Sequence, residues 1–301
     1  MKNNDKNRGF EIVKKDRRYV NILKINIDST SRGKVLSKVR NRINKLERFI
    51  IFTPNPEIIV KGKRDKGYGE ILNQADISLP DGVGLAIAYR FLRMRNPKNR
   101  IIRAPVLIFQ GIFVLVAFVF RKSWVEKGIE IIKGREMFVD LIKLANKKRW
   151  RVFLFGGRGD VAEKTKKVLK RSFKKVQIES AAGPELDDNA RPRSSTDEKI
   201  TKEVIEKINH FKPHLLFVAL GAPKQEKWVY RWRNELNATG IMIVGGTYDY
   251  VSGEAGRIPR LFEKAGFEWF WRLINQPKRI ARVLNAVIMF LFYVYIDKLK
   301  S

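Results

Sequence analysis

Apolar, β-branched runs alternate with amphipathic helical patterns along most of this 301-residue chain. Several of the runs lead directly into turns rich in glycine, proline and polar residues, namely TPN, PDG, GGRG, GAPKQE and GGTYD. Strands that alternate with helices predict a parallel, doubly wound α/β sheet. Because parallel strands place their carboxyl ends at one edge of a sheet, we expect these turns to line one site.

The pattern changes beyond Ile258, where the sequence becomes aromatic and basic and reads as helical on both sides of Pro277. We therefore predict an α/β domain over residues 1–257 and a C-terminal helical appendage over residues 258–301. A domain of this length buries a substantial core.

The charge balance is strongly basic, with 62 Lys and Arg against 31 Asp and Glu and a formal net charge of +31. Such a chain attracts nucleic acid, anionic lipid or diphosphate groups, and a generally basic proteome would give the same balance. The N-terminal MKNNDKNRGF is not followed by the apolar segment of a secretory signal, which predicts a cytoplasmic start.

Residue usage argues against several kinds of site. The sequence contains no cysteine and only two histidines, His210 and His214. A disulfide framework and a thiolate metal site are excluded, and neither a histidine-rich metal centre nor a Ser-His-Asp triad is expected. We predict no bound metal.

The run FLFGGRGDVAE places Gly156, Gly157 and Gly159 between a predicted strand and a helix, where backbone amides can approach phosphate. Glu179 follows Gly159 by 20 residues and is predicted at the end of the next strand, where dinucleotide folds keep a ribose-binding acid. A nicotinamide-dependent oxidoreductase is therefore an alternative, although the spacing is Gly-Gly-x-Gly rather than G-x-G-x-x-G. A tight turn explains the glycines equally well.

Three other turns carry polar side chains. Asp81 lies between Pro80 and Gly82, where a carboxylate can act as a general base, although these residue types also simply form turns. Thr53 and Asn55 are short polar side chains suited to sugar hydroxyls or phosphate. The run KQE, residues 224–226, follows an apolar strand and is a candidate binding loop or a solvated helix start.

Arg272, Arg279 and Arg282 share a helical face if Pro277 only kinks the segment. Arginine suits bidentate phosphate recognition, and a solvated basic face is the alternative.

An apolar segment, Ala104–Phe120, runs for 17 residues without a charge and has arginines at both ends. This length is at the lower limit for a membrane-spanning helix.

Taken in order, the motifs TPNPE, PDGVGLA, LFGGRGDVAE, FVALGAPKQEKW, GGTYDYVSGEAGRIP and GFEWFWRLINQPKRIARV resemble the WecG/TagA/CpsF glycosyltransferases over residues 21–294. The resemblance implies a Rossmann-like fold and an inverting, metal-independent transfer with no cofactor. The donor would be a UDP-sugar carrying N-acetylmannosamine, its uronic acid or a related hexose. The acceptor would be a lipid-linked diphospho-sugar at the cytoplasmic face of the membrane.

The resemblance also implies roles for individual residues. Asp81 would be the general base, and Arg272, Arg279 and Arg282 would bind the acceptor diphosphate. The residues implied for binding the donor or the reacting sugar are Thr53, Asn55, Gly82, Gly156, Gly157, Gln225 and Glu226.

The sequence departs from the family pattern in two places. About 28 extra residues, Lys98–Val125, follow the PDG helix, and Gly134-Arg135-Glu136 replaces a Thr-Gly-Asp triplet, which leaves donor contacts there unassigned. A single membrane crossing by the insertion would put Asp81 and Gln225 on opposite sides of the bilayer. We therefore predict a hairpin or oblique helix that dips into one leaflet, helped by arginines among anionic headgroups. The alternative is a helix packed on the protein or in a homo-oligomer interface.

These observations predict a membrane-associated UDP-sugar transferase, peripheral or monotopic, that contacts an anionic membrane surface. A nicotinamide-dependent oxidoreductase and a basic nucleic-acid-binding protein remain as alternatives. The sequence lacks any recognisable nucleic-acid-binding module, so a nucleic-acid partner is not expected.

Overall fold

The computed structural model describes residues 18–254 and 277–301, with side chains of the last helix described from residue 285 onward. The strands are β1 (Tyr19–Ile22), β2 (Ile25–Asp28), β3 (Phe49–Phe52), β4 (Ile77–Ser78), β5 (Arg151–Gly156), β6 (Gln177–Ala181), β7 (Leu215–Ala219) and β8 (Gly240–Ile243). The helices are α1 (Arg32–Asn44), α2 (Pro56–Arg64), α3 (Lys66–Leu72), α4 (Val83–Arg93), α5 (Arg100–Phe120), α6 (Lys122–Glu126), α7 (Gly134–Lys148), α8 (Val161–Ser172), α9 (Ser195–Phe211), α10 (Lys224–Trp232), α11 (Thr247–Val251) and α12 (Pro277–Lys300).

Six of these strands form one parallel sheet in the order β4-β3-β8-β7-β5-β6. The central strands β3, β7 and β8 are buried along their whole length, as expected for a parallel sheet with helices on both faces. The predicted doubly wound α/β fold is confirmed. The antiparallel hairpin of β1 and β2 forms a separate two-stranded sheet that the sequence patterns did not indicate.

A hydrophobic core lies on each face of the main sheet. On one face, the rings of Phe155 and Trp228 lie 4.6 Å apart, and helices α2, α4, α9, α10 and α12 contribute apolar side chains. On the other face, the rings of Phe138 and Phe217 lie 4.7 Å apart, and helices α1, α7 and α8 contribute. Burial on both faces fixes the sheet, and with it the positions of the turns that follow each strand.

The sheet settles how the apolar insertion relates to the rest of the chain. β3 precedes α5 and β8 follows it, yet these two strands pair directly, with Ile50 opposite Ile241. A helix that crossed a bilayer once would separate them. The two ends of α5 therefore lie on the same side of any membrane, as the sequence argument required.

The insertion, for which a hairpin or an oblique helix was predicted, contains the long helix α5 and most of the short helix α6. Helix α5 is the one helix among the described residues that is long and apolar enough, by length and composition, to cross a membrane. Leu107, Val114 and Ala117 are buried on one side, where α5 packs against α4 and α12. Most of its remaining apolar side chains are exposed, so packing on the protein covers only a narrow face of the helix.

Two further elements hold α5 against the domain. Trp124 of α6 stacks under the guanidinium of Arg90 at 4.2 Å and lies edge-on to Phe113, with ring centroids 5.6 Å apart. In α12, Phe290 and Val294 are buried in the core beneath α2 and α4. The described part of the C-terminal segment is therefore packed into the catalytic domain.

Candidate active site

The turns after β3 and β4 form one rigid unit. The backbone N–H of Leu79 donates to Phe52 O at 2.8 Å, and that of Asp81 donates to Pro54 O at 3.1 Å. Gly82 has φ +103°, a conformation that favours glycine, and it immediately precedes α4. These contacts fix the position of the Asp81 backbone next to the TPNP turn.

Thr53, Asp81 and Gly134 meet at this edge of the sheet. A Cβ atom added to Gly134 would lie 3.3 Å from Thr53 Oγ1 and 3.4 Å from Asp81 Oδ2. The N–H of Ile132 donates to Pro80 O at 2.9 Å, which brings the chain after the insertion back to the PDG turn. Thr53 is 7% exposed and Asp81 is half-buried. The arrangement leaves room beside the two polar side chains that only a glycine provides.

Gly134 also begins α7, a helix of 15 residues. The amino end of a helix carries partial positive charge and favours a nearby anion. The triplet that begins with Gly134 departs from the pattern of the resemblance, and no motif in the sequence indicated that its glycine touches the site. The available signal was a glycine at a predicted helix start, one of many in the chain.

The side chain of Asn55 caps a helix. Its Oδ1 accepts a hydrogen bond from the N–H of Ile58 at 3.0 Å and so caps α2, with Pro56 in the first turn. The side chain is partly exposed. Its Nδ2 group is the part that remains for a substrate contact.

Gln225 and Glu226 link the turns after β7 and β8. Gln225 Nε2 donates to Glu226 Oε1 at 3.0 Å, and its Oε1 accepts from the N–H of Gly245 at 3.2 Å. Since β8 neighbours β3, Gln225 is held in the turn region next to the strand that leads into Thr53. Only 2% of Gln225 is exposed, so a substrate would reach little of its side chain in this conformation.

Glu226 has no exposed surface. Burial raises its pKa, and the hydrogen bond from Gln225 and the nearby Tyr68 hydroxyl oppose that rise without cancelling it. Burial and the neighbouring Glu226 likewise raise the pKa of the Tyr68 hydroxyl. The position that the resemblance implied for substrate binding is therefore a buried carboxyl group that holds Gln225.

Lys61 of α2 contributes a contact that no motif indicated. Its Nζ donates to Ala222 O at 3.1 Å and pairs with Glu57 at 3.1 Å. The turns after β3 and β7 are thereby joined through α2. The contact spans 161 positions in the chain, so no local pattern could reveal it.

The local backbone geometry explains the glycines at the end of β5 and in the turn that follows. Gly156 has φ +98°, and a Cβ there would lie 2.6 Å from Ala219 O. The N–H of Gly157 donates to the same carbonyl oxygen at 2.8 Å. Close approach of β5 to the end of β7 explains Gly156, and φ +80° favours glycine at Gly157, in both cases without a ligand.

The prediction that Glu179 ends its strand is wrong. Glu179 lies in the middle of β6, opposite Phe153, and its carboxylate pairs with Lys166 of α8 at 3.4 Å. β6 continues to Ala181, so the acid is set back from the edge where a ribose would bind. The nicotinamide alternative loses the observation that favoured it.

The three predicted diphosphate-binding arginines cannot be placed in contacts. Arg272 lies outside the described residues, and Arg279 and Arg282 lie in the first turns of α12, where the side chains are outside them too. Further along α12, Phe290 approaches Gly84 in the first turn of α4. Within residues 18–254 and 277–301, no group of three or more His, Cys, Asp or Glu side chains could hold a metal ion.

Comparison with known proteins gives a consistent assignment. The model of the glycosyl transferase WecG/TagA/CpsF family matches residues 20–104 and 98–301, two segments that overlap where α5 begins. A Staphylococcus aureus (strain MW2) protein named N-acetylglucosaminyldiphosphoundecaprenol N-acetyl-beta-D-mannosaminyltransferase is 26% identical over 284 residues, covering 93% of this chain and 94% of that protein. A Bacillus subtilis (strain 168) protein of the same name is 26% identical over 236 residues, covering 78% and 75%.

The family match spans nearly all of the described fold, including every turn at the carboxyl edge of the sheet. It accords with the doubly wound sheet and with the convergence of Thr53 and Asp81. The chain belongs to the WecG/TagA/CpsF family and is a glycosyltransferase.

Proposed function

We propose that this enzyme transfers N-acetylmannosamine from a UDP-sugar to N-acetylglucosamine carried on a polyprenyl diphosphate, in cell-surface polymer synthesis. The relatives from S. aureus and B. subtilis carry names that specify this sugar and this acceptor. The observation that carries the proposal is the meeting of Asp81, Thr53 and the amino end of α7 at the carboxyl edge of the sheet. A carboxylate there has a hydroxyl and a positive helix end beside it.

In the proposed reaction, the Asp81 carboxylate accepts the proton of the acceptor hydroxyl as that oxygen attacks the anomeric carbon of the donor. The bond from that carbon to the UDP oxygen breaks on the opposite face, so the configuration inverts and UDP leaves with the bonding electrons. Thr53 Oγ1 and Asp81 Oδ2 both border the space beside Gly134, so Thr53 can contact the same acceptor hydroxyl.

Charge on the two diphosphates must be balanced in this reaction. We assign the acceptor diphosphate to Arg272, Arg279 and Arg282, because a guanidinium binds phosphate in a bidentate manner and remains charged. The amino end of α7 adds positive potential beside Asp81. We propose that these groups act without a metal ion or a cofactor.

The proposed location is the cytoplasmic face of the membrane, with α5 lying against one leaflet. The exposed apolar side chains of α5 are Ile101, Ile102, Ile108, Phe109, Ile112, Phe113, Leu115, Val116, Val119 and Phe120. Arg100 and Arg121 lie at its two ends, where they would meet anionic headgroups. A broad apolar helix face with basic ends fits an interfacial position.

A donor screen tests the proposal. Purified protein is incubated with N-acetylglucosaminyl-diphospho-polyprenol and UDP-N-acetylmannosamine, with UDP-N-acetylglucosamine, UDP-glucose and the mannosaminuronate donor in parallel, in the presence of EDTA. We expect transfer from UDP-N-acetylmannosamine, at full rate, with NMR of the product showing the anomeric configuration opposite to that of the donor. The absence of transfer from any donor, retained configuration, or activity that returns only with a divalent cation would contradict the proposal.

A further inference from the structure

An apolar groove of about 260 Å³ lies between α4, α5 and α12. Its lining is almost entirely apolar and includes Ile87, Phe91, Leu107, Ile112, Leu115 and Leu291. The volume is below the usual range for whole small-molecule pockets, so the groove suits a short length of an extended chain.

One end of the groove lies close to the catalytic turn. Ile87 in its wall is six residues after Asp81, a distance of about 9 Å if measured along a helix axis. Between them, Gly84 packs on Pro56 of the TPNP turn and approaches Phe290, the residue before Leu291. The groove and the proposed base are thus parts of one packed unit.

The groove has polar groups near its other end and is open along one side. The ammonium group of Lys298 lies toward one end, where it donates to the Phe91 carbonyl oxygen and, at 2.8 Å, to Gln110 Oε1. Along the side, the lining residues Ile108, Ile112 and Phe292 are each 52% exposed. The groove is therefore bounded by polar contacts at one end and open laterally, on the same surface as the exposed face of α5.

We propose that this groove binds the isoprenoid chain of the acceptor, at the units adjacent to its diphosphate. The inference rests on the proposed function, because it is the acceptor of that reaction that joins a sugar, a diphosphate and an isoprenoid chain in one molecule. A sugar at Asp81 requires the first isoprene units to lie within a sugar-diphosphate length of the PDG turn. The groove supplies an apolar surface at such a distance, open to the side from which a membrane lipid would enter.

Gly111 allows the groove to be filled with little strain. A Cβ added there would lie 3.9 Å from Phe91 Cε2, an ordinary contact, and leucine favours a helix interior more than glycine does. Gly111→Leu therefore occupies the groove while keeping α5 helical. Val119→Phe is the matched control, because Val119 is on the same helix, 67% exposed, and absent from the lining.

The experiment compares kcat/KM for two N-acetylglucosaminyl-diphospho-lipids in detergent, one with a long isoprenoid chain and one with a short alkyl chain. Gly111→Leu is expected to lower the long-to-short ratio of kcat/KM by about tenfold or more, the equivalent of about two buried methylene groups. The ratio for Val119→Phe should match that of the wild type. A photoreactive isoprenoid diphosphate should label peptides from α4, α5 or α12 in the wild type and label them less in Gly111→Leu.

Each other outcome has a definite meaning. An unchanged ratio in Gly111→Leu, with the wild type active on both acceptors, overturns the groove assignment and leaves the proposed function standing. An equal fall in both variants overturns it in favour of general contact with lipid. A change in oligomeric mass by light scattering without a change in ratio overturns it in favour of a second copy in the groove. A wild type inactive on both acceptors would instead count against the proposed function, and the labelling would then decide the groove by itself.

Discussion

Helices α4 and α5 follow one another in the chain and are both rich in apolar residues, but these residues are mostly buried in α4 and mostly exposed in α5. In α4, Leu85, Ala86 and Ala88 are buried against the sheet and its neighbouring helices. In α5, Phe109 and Phe120 are 72% and 81% exposed. Exposed apolar surface of this extent marks an interaction site.

The difference has its origin in what each helix must hold in place. The start of α4 is tied to Asp81 and to the TPNP turn, so its course is set by the sheet edge. α5 contacts the domain along one side, where it packs against α4, α6 and α12. Apolar residues therefore serve internal packing in α4, whereas in α5 most of them are left exposed, and we propose that these contact the membrane.

A large effect is expected beside the start of α4, at Gly134 of α7, with Gly134→Val. The new side chain would push against Thr53 and Asp81, and misplacing reacting groups by about 1 Å costs on the order of 100-fold in rate. We expect kcat for sugar transfer to fall by about 100-fold or more, with the far-UV circular dichroism spectrum unchanged. Gly33→Val is the control, because Gly33 also lies in the first turn of a helix but has open space at its Cβ position. Equal activity in the two variants would separate α7 from the site.

In α5, Leu107→Ala and Phe109→Ala should have different effects, because Leu107 is buried and Phe109 is exposed. Leu107 is fully buried, so its truncation should lower the free energy of unfolding by about 2–5 kcal/mol. Phe109 is exposed, so its truncation should change stability by less than about 0.5 kcal/mol and should instead weaken binding to anionic vesicles. Urea unfolding and vesicle flotation make the two measurements. If Phe109→Ala lost stability and kept full vesicle binding, the exposed face of α5 would not be a lipid-facing surface.

A smaller loss of stability is expected at the turn after β5, the first strand that follows α5 in the chain. Gly156→Ala should destabilise the protein by about 1–3 kcal/mol beyond Gly159→Ala, because only the first places a Cβ against Ala219 O. Both glycines have positive φ, so backbone strain is present in each variant and the comparison isolates the clash. Thermal unfolding provides the measurement. Equal losses would mean that packing does not explain Gly156 and would return the turn to a ligand-binding role.

The smallest effect concerns Glu226. Its pKa is raised in the folded protein, so the folded state holds its proton more tightly than the unfolded state does. The resulting stabilisation is present at acid pH and is lost as pH rises above the unfolded value toward the folded one. We expect Glu226→Gln to remove this decline between acid and neutral pH, whereas Glu206→Gln, on the exposed surface of α9, should leave it in place. Urea unfolding at a series of pH values measures the slope, and a wild-type slope in Glu226→Gln would contradict the account.

The sequence was sufficient for features encoded locally. Each turn after a strand carried its own glycine, proline and polar residues, so the parallel sheet and the edge holding Thr53 and Asp81 followed from pattern alone. The prediction for Glu179 failed because strand ends are poorly encoded, and β6 continues for two residues past it. That error mattered because the position of a side chain along its strand decides whether it reaches the sheet edge.

Long-range contacts account for what the sequence could not reveal. Gly134 touches Thr53, and Lys61 reaches Ala222, only because the sheet brings distant segments together. The composition of Ala104–Phe120 predicted an apolar segment, but which of its residues pack on α4 depends on the rotation of a helix whose surface is apolar on all sides. Tertiary neighbours alone select Leu107 over Phe109.

The central claim is that Asp81 is the base of a sugar transfer to a lipid-linked acceptor, and Asp81→Asn tests it most directly. The amide keeps the shape of the side chain but cannot accept the proton, so we predict a fall in kcat of about 10²–10⁴-fold, with KM for the donor within a few-fold of the wild type. Asp188→Asn, on the exposed surface, should retain full activity. Transfer by Asp81→Asn at the rate of the wild type would contradict the account.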